Sequence, residues 1–154
     1  KFAEARFDGV VPDLGGSGPL EEQLQGRLTE RLAELTAQME ALEVRRSAQT
    51  LRAMWVIGNE YLQEAAPWTA IKTDVERAAV VVRTGLNLVR LFAAVSAPML
   101  PFTAAKMAAA VGETEPLAWP AEDIAAELNR LPRGGGVSAP PVLFRKIEDA
   151  QLAE

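Results

Sequence analysis

The chain has 154 residues, 49% of them hydrophobic, with 16 basic and 21 acidic side chains for a net charge of −5. That length suits one domain with a real core, or one domain plus an arm. It contains neither cysteine nor histidine, which excludes disulfides, zinc fingers, thiolate chemistry and histidine-based triads, and its net acidity argues against a sequence-blind nucleic-acid binder held by charge.

Phe2, Ala3, Ala5 and Phe7 open the chain without a start signal or cap and read as the tail of a helix that begins upstream of Lys1. Residues 8–19, rich in Gly, Pro, Asp and Ser, predict a loop. The chain restarts at Pro19, a favoured first helical residue, with Ser17 or Gly18 as cap and Glu21 and Glu22 in the first turn. Leu20, Leu24, Leu28, Leu32, Leu35, Met39 and Leu42 recur at three and four residues and predict one buried stripe. Glu21, Gln25, Glu30 and Gln38 form the opposite, solvated face. A break at Glu43–Arg46 precedes a second helix capped by Ser47, with Leu51, Met54, Trp55, Gly58, Tyr61 and Leu62 inward. Trp55 is thereby assigned to the core, and Tyr61 is expected half-buried with its hydroxyl near the surface.

That helix must stop at Pro67, which lacks an amide donor and restricts the residue before it. Trp68 follows at the boundary. A ring held after a rigid proline either plugs the gap between two helices or turns its face outward, where a nucleobase can stack on it. After a turn at Thr69–Thr73, Asp74 begins a third long helix with Val75, Ala79, Val82, Leu86, Val89 and Ala93 in register. Leu88, Leu91, Phe92 and Val95 make its second face apolar too, so it should be the central helix of a bundle. The apolar run Leu86–Phe102 is interrupted by Asn87, Arg90, Pro98 and Pro101 and reads as a buried helix, not a membrane span. A short helix from Phe102 to about Ala110 ends at Gly112, a loop carries Trp119, and a further helix over Ala121–Leu131, capped by the Pro120 turn, follows.

These elements predict an all-α bundle of three long and one or two short helices over residues 1–131. Residues 132–154 form an irregular tail, in which Gly134–Gly136 supply a flexible linker and Leu143–Ile147 a docking segment. No internal repeat and no phosphate-cradling glycine motif is evident. Charge is uneven: residues 71–106 hold Lys72, Arg77, Arg83, Arg90 and Lys106 against Asp74 and Glu76, a local basic strip beside Trp68. Arg45, Arg46 and Arg52 lie on the connection and helix leading toward Trp68, where they are expected to touch the phosphates of the same single-stranded loop whose base would stack on the ring. No signal-peptide pattern is present, and the expected compartment is the cytoplasm.

Four short motifs occur in one order: Arg6-Phe7-Asp8-Gly9; Asn59-Glu60-Tyr61 leading to Pro67-Trp68 and Lys72; Pro98-Met99-Leu100-Pro101; and Leu143-Phe144-Arg145-Lys146-Ile147-Glu148. Together, and across essentially the whole chain, they resemble the C-terminal anticodon-binding domain of bacterial methionyl-tRNA synthetases. The resemblance implies a piece of a class I aminoacyl-tRNA synthetase whose bundle reads the CAU anticodon, with the tryptophan of the Pro-Trp pair stacking on a base. That role falls to Trp68, positioned by Pro67. The family's other anticodon readers, an Asn and an Arg on the first helix of the bundle, would lie upstream of Lys1, and the HIGH-like and KMSKS-like signatures are missing. No catalytic residue, metal or cofactor is therefore expected in this chain. ATP and Mg2+ belong to the whole enzyme, and the partners implied are the anticodon loop of tRNA(Met) and the enzyme's own catalytic domain, with neither DNA nor membrane. The tail at Leu143–Ile147 would pack on that catalytic part. The competing reading is an acidic helical module that binds a protein through an apolar groove with Trp68 as anchor.

Overall fold

The computed structural model describes residues 1–140 and 142–144. They form α1 (Phe2–Arg6), α2 (Pro19–Glu40), α3 (Val44–Ala65), α4 (Pro67–Ala70), α5 (Val75–Ser96), α6 (Pro101–Ala110) and α7 (Ile124–Glu127). The all-α class and the three long helices are as the patterns predict, but there are four shorter segments where one or two were expected. Strand-type pairing among the described residues is limited to one antiparallel bridge, Val10 with Gly136.

Pro19 opens α2 with Gly18 as the cap, and the Glu21 side chain turns back to accept the Gly18 amide at 2.9 Å. This is one half of a capping box and it removes Glu21 from the solvated face assigned to it. Leu24, Leu28, Leu32 and Leu35 are buried as their spacing requires, with Leu20 and Met39 packed at the margins. Leu42 leaves the stripe. The hairpin from α2 to α3 reverses through a left-handed residue, Leu42 takes that place with φ 58°, and its side chain is 83% exposed. Nor does Ser47 cap α3, which already starts at Val44 with Glu43 before it. Ser47 lies one turn in, buried, its hydroxyl donating to the Glu43 carbonyl at 3.0 Å.

Helices α2 and α3 pair as a hairpin, α5 packs on α3, α4 and α6 pack on α5, and α7 rests on α2. Central α5 is long and apolar enough to span a membrane, but most of it is buried within the bundle. Its two apolar faces serve different clusters. Val81, Leu88, Leu91 and Val95 join the main core with Leu28, Met54 and Tyr61, whereas Leu86 and Val89 pack against Val11, Val111, Leu131 and Val137. Val75, expected inward, is exposed in the first turn.

Helix α7 covers only Ile124–Glu127, and the Asp123 carboxylate, not the Pro120 turn, caps it by accepting the Ala126 amide at 3.0 Å. Continuation to Leu131 is prevented because the Leu131 amide donates to the buried Asn87 Oδ1 on α5 at 2.9 Å. The glycine-rich segment is likewise not free. Gly134 N and Val11 N donate to Val11 O and Gly135 O at 2.9 Å each, Val137 N donates to Gly9 O at 2.8 Å, and Ser138 N donates to Ala110 O at 2.9 Å. Residues 134–138 are thus tied to the bundle rather than linking it to a tail. Leu143 lines an apolar cavity of about 220 Å³ with Ala3, Leu86, Val89, Met107 and Val137. Arg145-Lys146-Ile147-Glu148, the end of the last motif, lies outside the described residues.

Candidate nucleic-acid interface

The corner between α3 and α5 is built by three consecutive residues. Ala66 ends α3 in the left-handed region, φ 39° and ψ 64°, while its amide still donates to Leu62 O at 3.0 Å. A non-glycine residue there costs about 1–2 kcal/mol, so the surroundings must hold it. They do so through a new helical turn: Ala66 O accepts the amides of Thr69 and Ala70 at 2.9 and 3.1 Å, and Pro67 takes the first position of α4, where a missing amide costs nothing. Pro67 is buried. Trp68, the next residue, is 45% exposed. Its ring is therefore neither swallowed by the core nor free of the bundle. Lys72 stands four residues on, about one helical turn from Trp68, and Asp74 closes the corner by accepting the Arg77 amide at 2.9 Å to cap α5.

The basic strip read from the sequence does not form. Arg83 is buried, its guanidinium donating to the carbonyls of Pro12, Leu14 and Gly15 at 3.3, 2.8 and 3.0 Å. Burial pushes its pKa down, with Arg133 nearby adding to the effect. Arg90 is held by Glu113 and by Glu127, which also pairs with Arg130. Arg77 donates to Glu21 at 2.8 Å. Of the five cations, Lys72 and Lys106 remain without an ion pair among the described residues.

Arg45, Arg46 and Arg52 are all exposed on α3, but not beside Trp68. Arg45 and Arg46 sit in the first turn of a 22-residue helix whose other end reaches the corner, about 30 Å away. Arg52 is about 20 Å away by the same measure. Arg46 is also engaged by Glu43 at 2.9 Å.

Two features went unread in the sequence. The first is a buried cluster under the corner: Glu21, 1% exposed, accepts from the Tyr61 hydroxyl, from Arg77 and from the Gly18 amide. Burial alone would raise the Glu21 pKa, but the donors Arg77, Tyr61 and Gly18 together outweigh it and hold the carboxyl below the usual range. Tyr61 is pushed up by burial and by that carboxylate, while Arg77 is raised by its bond to Glu21. So Tyr61 is fully buried rather than half-buried. The second is a short internal repeat, Pro67-Trp-Thr-Ala-Ile-Lys72 and Pro101-Phe-Thr-Ala-Ala-Lys106, in which each proline opens a helix. Trp55 is partly buried against the core, and Trp119 ties its loop to α2 by donating from Nε1 to Thr36 Oγ1 at 3.0 Å. Among the described residues no group of acidic side chains is placed to hold a metal.

Residues 11–154 match the family model described as the anticodon binding domain of methionyl tRNA ligase. The whole chain aligns with methionine–tRNA ligases of Caulobacter sp. (strain K31), 62% identical over 154 residues, and of Cereibacter sphaeroides (strain ATCC 17025 / ATH 2.4.3), 50% identical over 154 residues. It spans only 27% of the length of each. A similar fold occurs in the apo form of Mycobacterium tuberculosis methionyl-tRNA synthetase, with TM-score 0.81 and 20% identity over 96% of this chain and 30% of that one.

Proposed function

Because this chain belongs to the family of anticodon-binding domains of methionyl-tRNA ligases, we propose that it reads the CAU anticodon of tRNA(Met), with the ring of Trp68 as the surface on which one base stacks. The observation that carries the reading is the placement of Trp68, half-exposed at a corner of the bundle on a turn anchored by the buried Pro67. Single-stranded loops are recognised by splaying bases onto aromatic faces, a mode that needs no strongly basic domain and is therefore compatible with a net charge of −5. Pro67 and Ala66 fix where the ring emerges, and Lys72 supplies one positive charge for a phosphate beside the stacked base.

The whole protein, of which this chain corresponds to about a quarter by the lengths of its relatives, is in this reading a cytoplasmic methionine–tRNA ligase. It uses ATP and Mg2+ in a catalytic domain carried elsewhere in the polypeptide. This chain contributes recognition and no acyl activation.

The test pairs two tryptophans in the full-length protein. Trp68→Ala should cost roughly 1–3 kcal/mol of tRNA binding, the range for one stacked base, or about a factor of 5 to 150 in kcat/KM for tRNA charging, with methionine activation retained. Trp55→Ala should instead lower the melting temperature, since its ring packs on the core. Unchanged charging by Trp68→Ala, or a loss explained by unfolding alone, would make Trp68 a packing residue.

A further inference from the structure

Helix α3 carries a line of six side chains that the fold leaves unused. Arg45, Gln49, Arg52, Val56, Asn59 and Gln63 follow one another at three- and four-residue steps, and all six are exposed. At about 100° per residue they fall within roughly 40° of a single line along the helix, diametrically opposite the buried Ser47, Met54 and Tyr61. The line runs about 27 Å and ends one short turn before the corner that holds Trp68. In a chain with 21 carboxylates, it contains none. Five of its six members are arginine or primary amide, groups that donate hydrogen bonds, and neither Arg45 nor Arg52 has an ion pair among the described residues. The two carboxylates of the same helix lie to its sides: Glu60 is bound to Arg27 of α2 at 2.6 Å and Glu64 is exposed on the flank, while Glu43, just before the helix, holds Arg46. Where α2 borders the line, a shallow groove is lined by Arg27, Arg31 and Glu30, and with Arg27 held by Glu60 the unpaired positive charge of this face is that of Arg45 and Arg52 on the line itself. Arg31 is shared there with Glu34 at 2.5 Å, an exposed pairing worth little and easily exchanged.

We propose that this line is the track for the sugar-phosphate backbone of the RNA stem that leads into the anticodon loop, lying along α3 while the loop reaches Trp68. The proposal rests on the anticodon reading for its direction and deepens it by giving the stem a place. Backbone contacts from arginines and amides fix register without reading sequence, and a duplex RNA offers phosphate oxygens and 2′-hydroxyls to such donors. The placement also accounts for the distance of Arg45 and Arg52 from Trp68: they serve the stem, about 20 to 30 Å from the stacked base, not the loop. A protein partner is disfavoured because the line has one aliphatic residue and no aromatic anchor.

The experiment measures binding of the full-length protein to a tRNA(Met) transcript and to one with a substituted anticodon, across a salt series. Each phosphate neutralised on a duplex contributes about 0.9 to the slope of log affinity against log salt, so the Arg45→Gln/Arg52→Gln double variant should lower that slope by about two. Between about 50 and 200 mM salt the variant should then lose roughly tenfold less affinity than the parent, equally for both transcripts. Gln49→Glu, which puts a carboxylate in the middle of the line, should weaken both transcripts at low salt without changing the melting temperature. A slope unchanged in the double variant overturns the track, and if Trp68→Ala still lowers binding of the CAU transcript, the anticodon reading survives that failure. A reduced slope with no effect of Trp68→Ala supports the track and overturns the role of the ring. A loss confined to one transcript means base contacts and overturns the backbone assignment.

Discussion

Glu21 is the side chain whose removal should cost this fold most for its size. Its carboxylate takes a backbone amide, a buried phenol and a guanidinium at once, joining the cap of α2 to α3 and α5. Breaking a buried ion pair from one side typically costs about 3–5 kcal/mol. Arg77 is partly exposed and can turn to water, so Glu21→Ala belongs at the lower end, about 3 kcal/mol, mostly from the stranded Tyr61 hydroxyl and the lost cap. For a domain of this length that is a fall of roughly 6–12 °C in melting temperature. The pH dependence gives a sharper signature. The folded pKa of Glu21 lies below its ordinary value of 4.5, so the carboxylate stabilises the fold fully above about that pH and loses its contribution as pH falls through the lower, folded value. Thermal and urea unfolding by far-UV circular dichroism, parent against Glu21→Ala, should show a constant gap from neutral pH down to about 5 and a shrinking one below. A gap under about 0.5 kcal/mol at neutral pH, or one that is the same on both sides of that window, would refute the argument.

Two further substitutions test the setting of the site. Gly15 has φ +66°, and a Cβ there would meet Val80 Cγ2 at 2.7 Å and the Glu76 carbonyl at 3.0 Å. Gly15→Ala should therefore cost about 1–3 kcal/mol in urea unfolding and loosen the loop whose carbonyls Arg83 gathers. Phe102 is 85% exposed, and Phe102→Ala should leave stability within about 0.5 kcal/mol and leave discrimination between CAU and substituted anticodons unchanged in tRNA charging.

The helices were legible because their signals are local. Leucines at three- and four-residue steps, Pro19 at a start, Asp74 at another and Pro67 at a stop each act within one turn, and each lands within a few residues of its expected place. What was not legible depends on partners far along the chain. Glu21 looks like an ordinary first-turn acid until Tyr61 and Arg77, 40 and 56 residues away, are brought to it. Arg83 and Arg90 count as positive charge in composition, yet one is spent on three loop carbonyls and the other on two glutamates. A clue was present: Arg83 and Asn87 interrupt a run of valines and leucines on what had to be the most buried helix, and a polar side chain in that position must have a partner. The glycine run misled for the opposite reason. Glycines permit both a loose linker and a tight turn, and only the waiting amides and carbonyls of Gly9 and Val11 decide between them.

The repeated hexad supplies an internal comparison for the role proposed for Trp68, because an exposed aromatic residue follows a helix-opening proline in both copies. Pro67–Lys72 and Pro101–Lys106 agree at four of six positions, and both begin a helix on the same neighbour, α5. After Lys106 come Met and three alanines, strong helix formers, and the segment continues to Ala110 as a regular helix from which Phe102 projects. After Lys72 come Thr73 and the capping Asp74, so the turn must end and a new long helix must begin. The first copy is consequently clamped between a left-handed Ala66 and a capped helix start, at an end of the bundle where α3 and α5 meet. There the backbone cannot shift without breaking a cap on one side or the strained junction on the other. The second copy lies beyond the opposite end of α5, about 33 Å away. In the proposed role a stacking surface contributes more affinity the less it must be ordered on binding, and of the two aromatic residues it is Trp68 whose backbone is held on both sides.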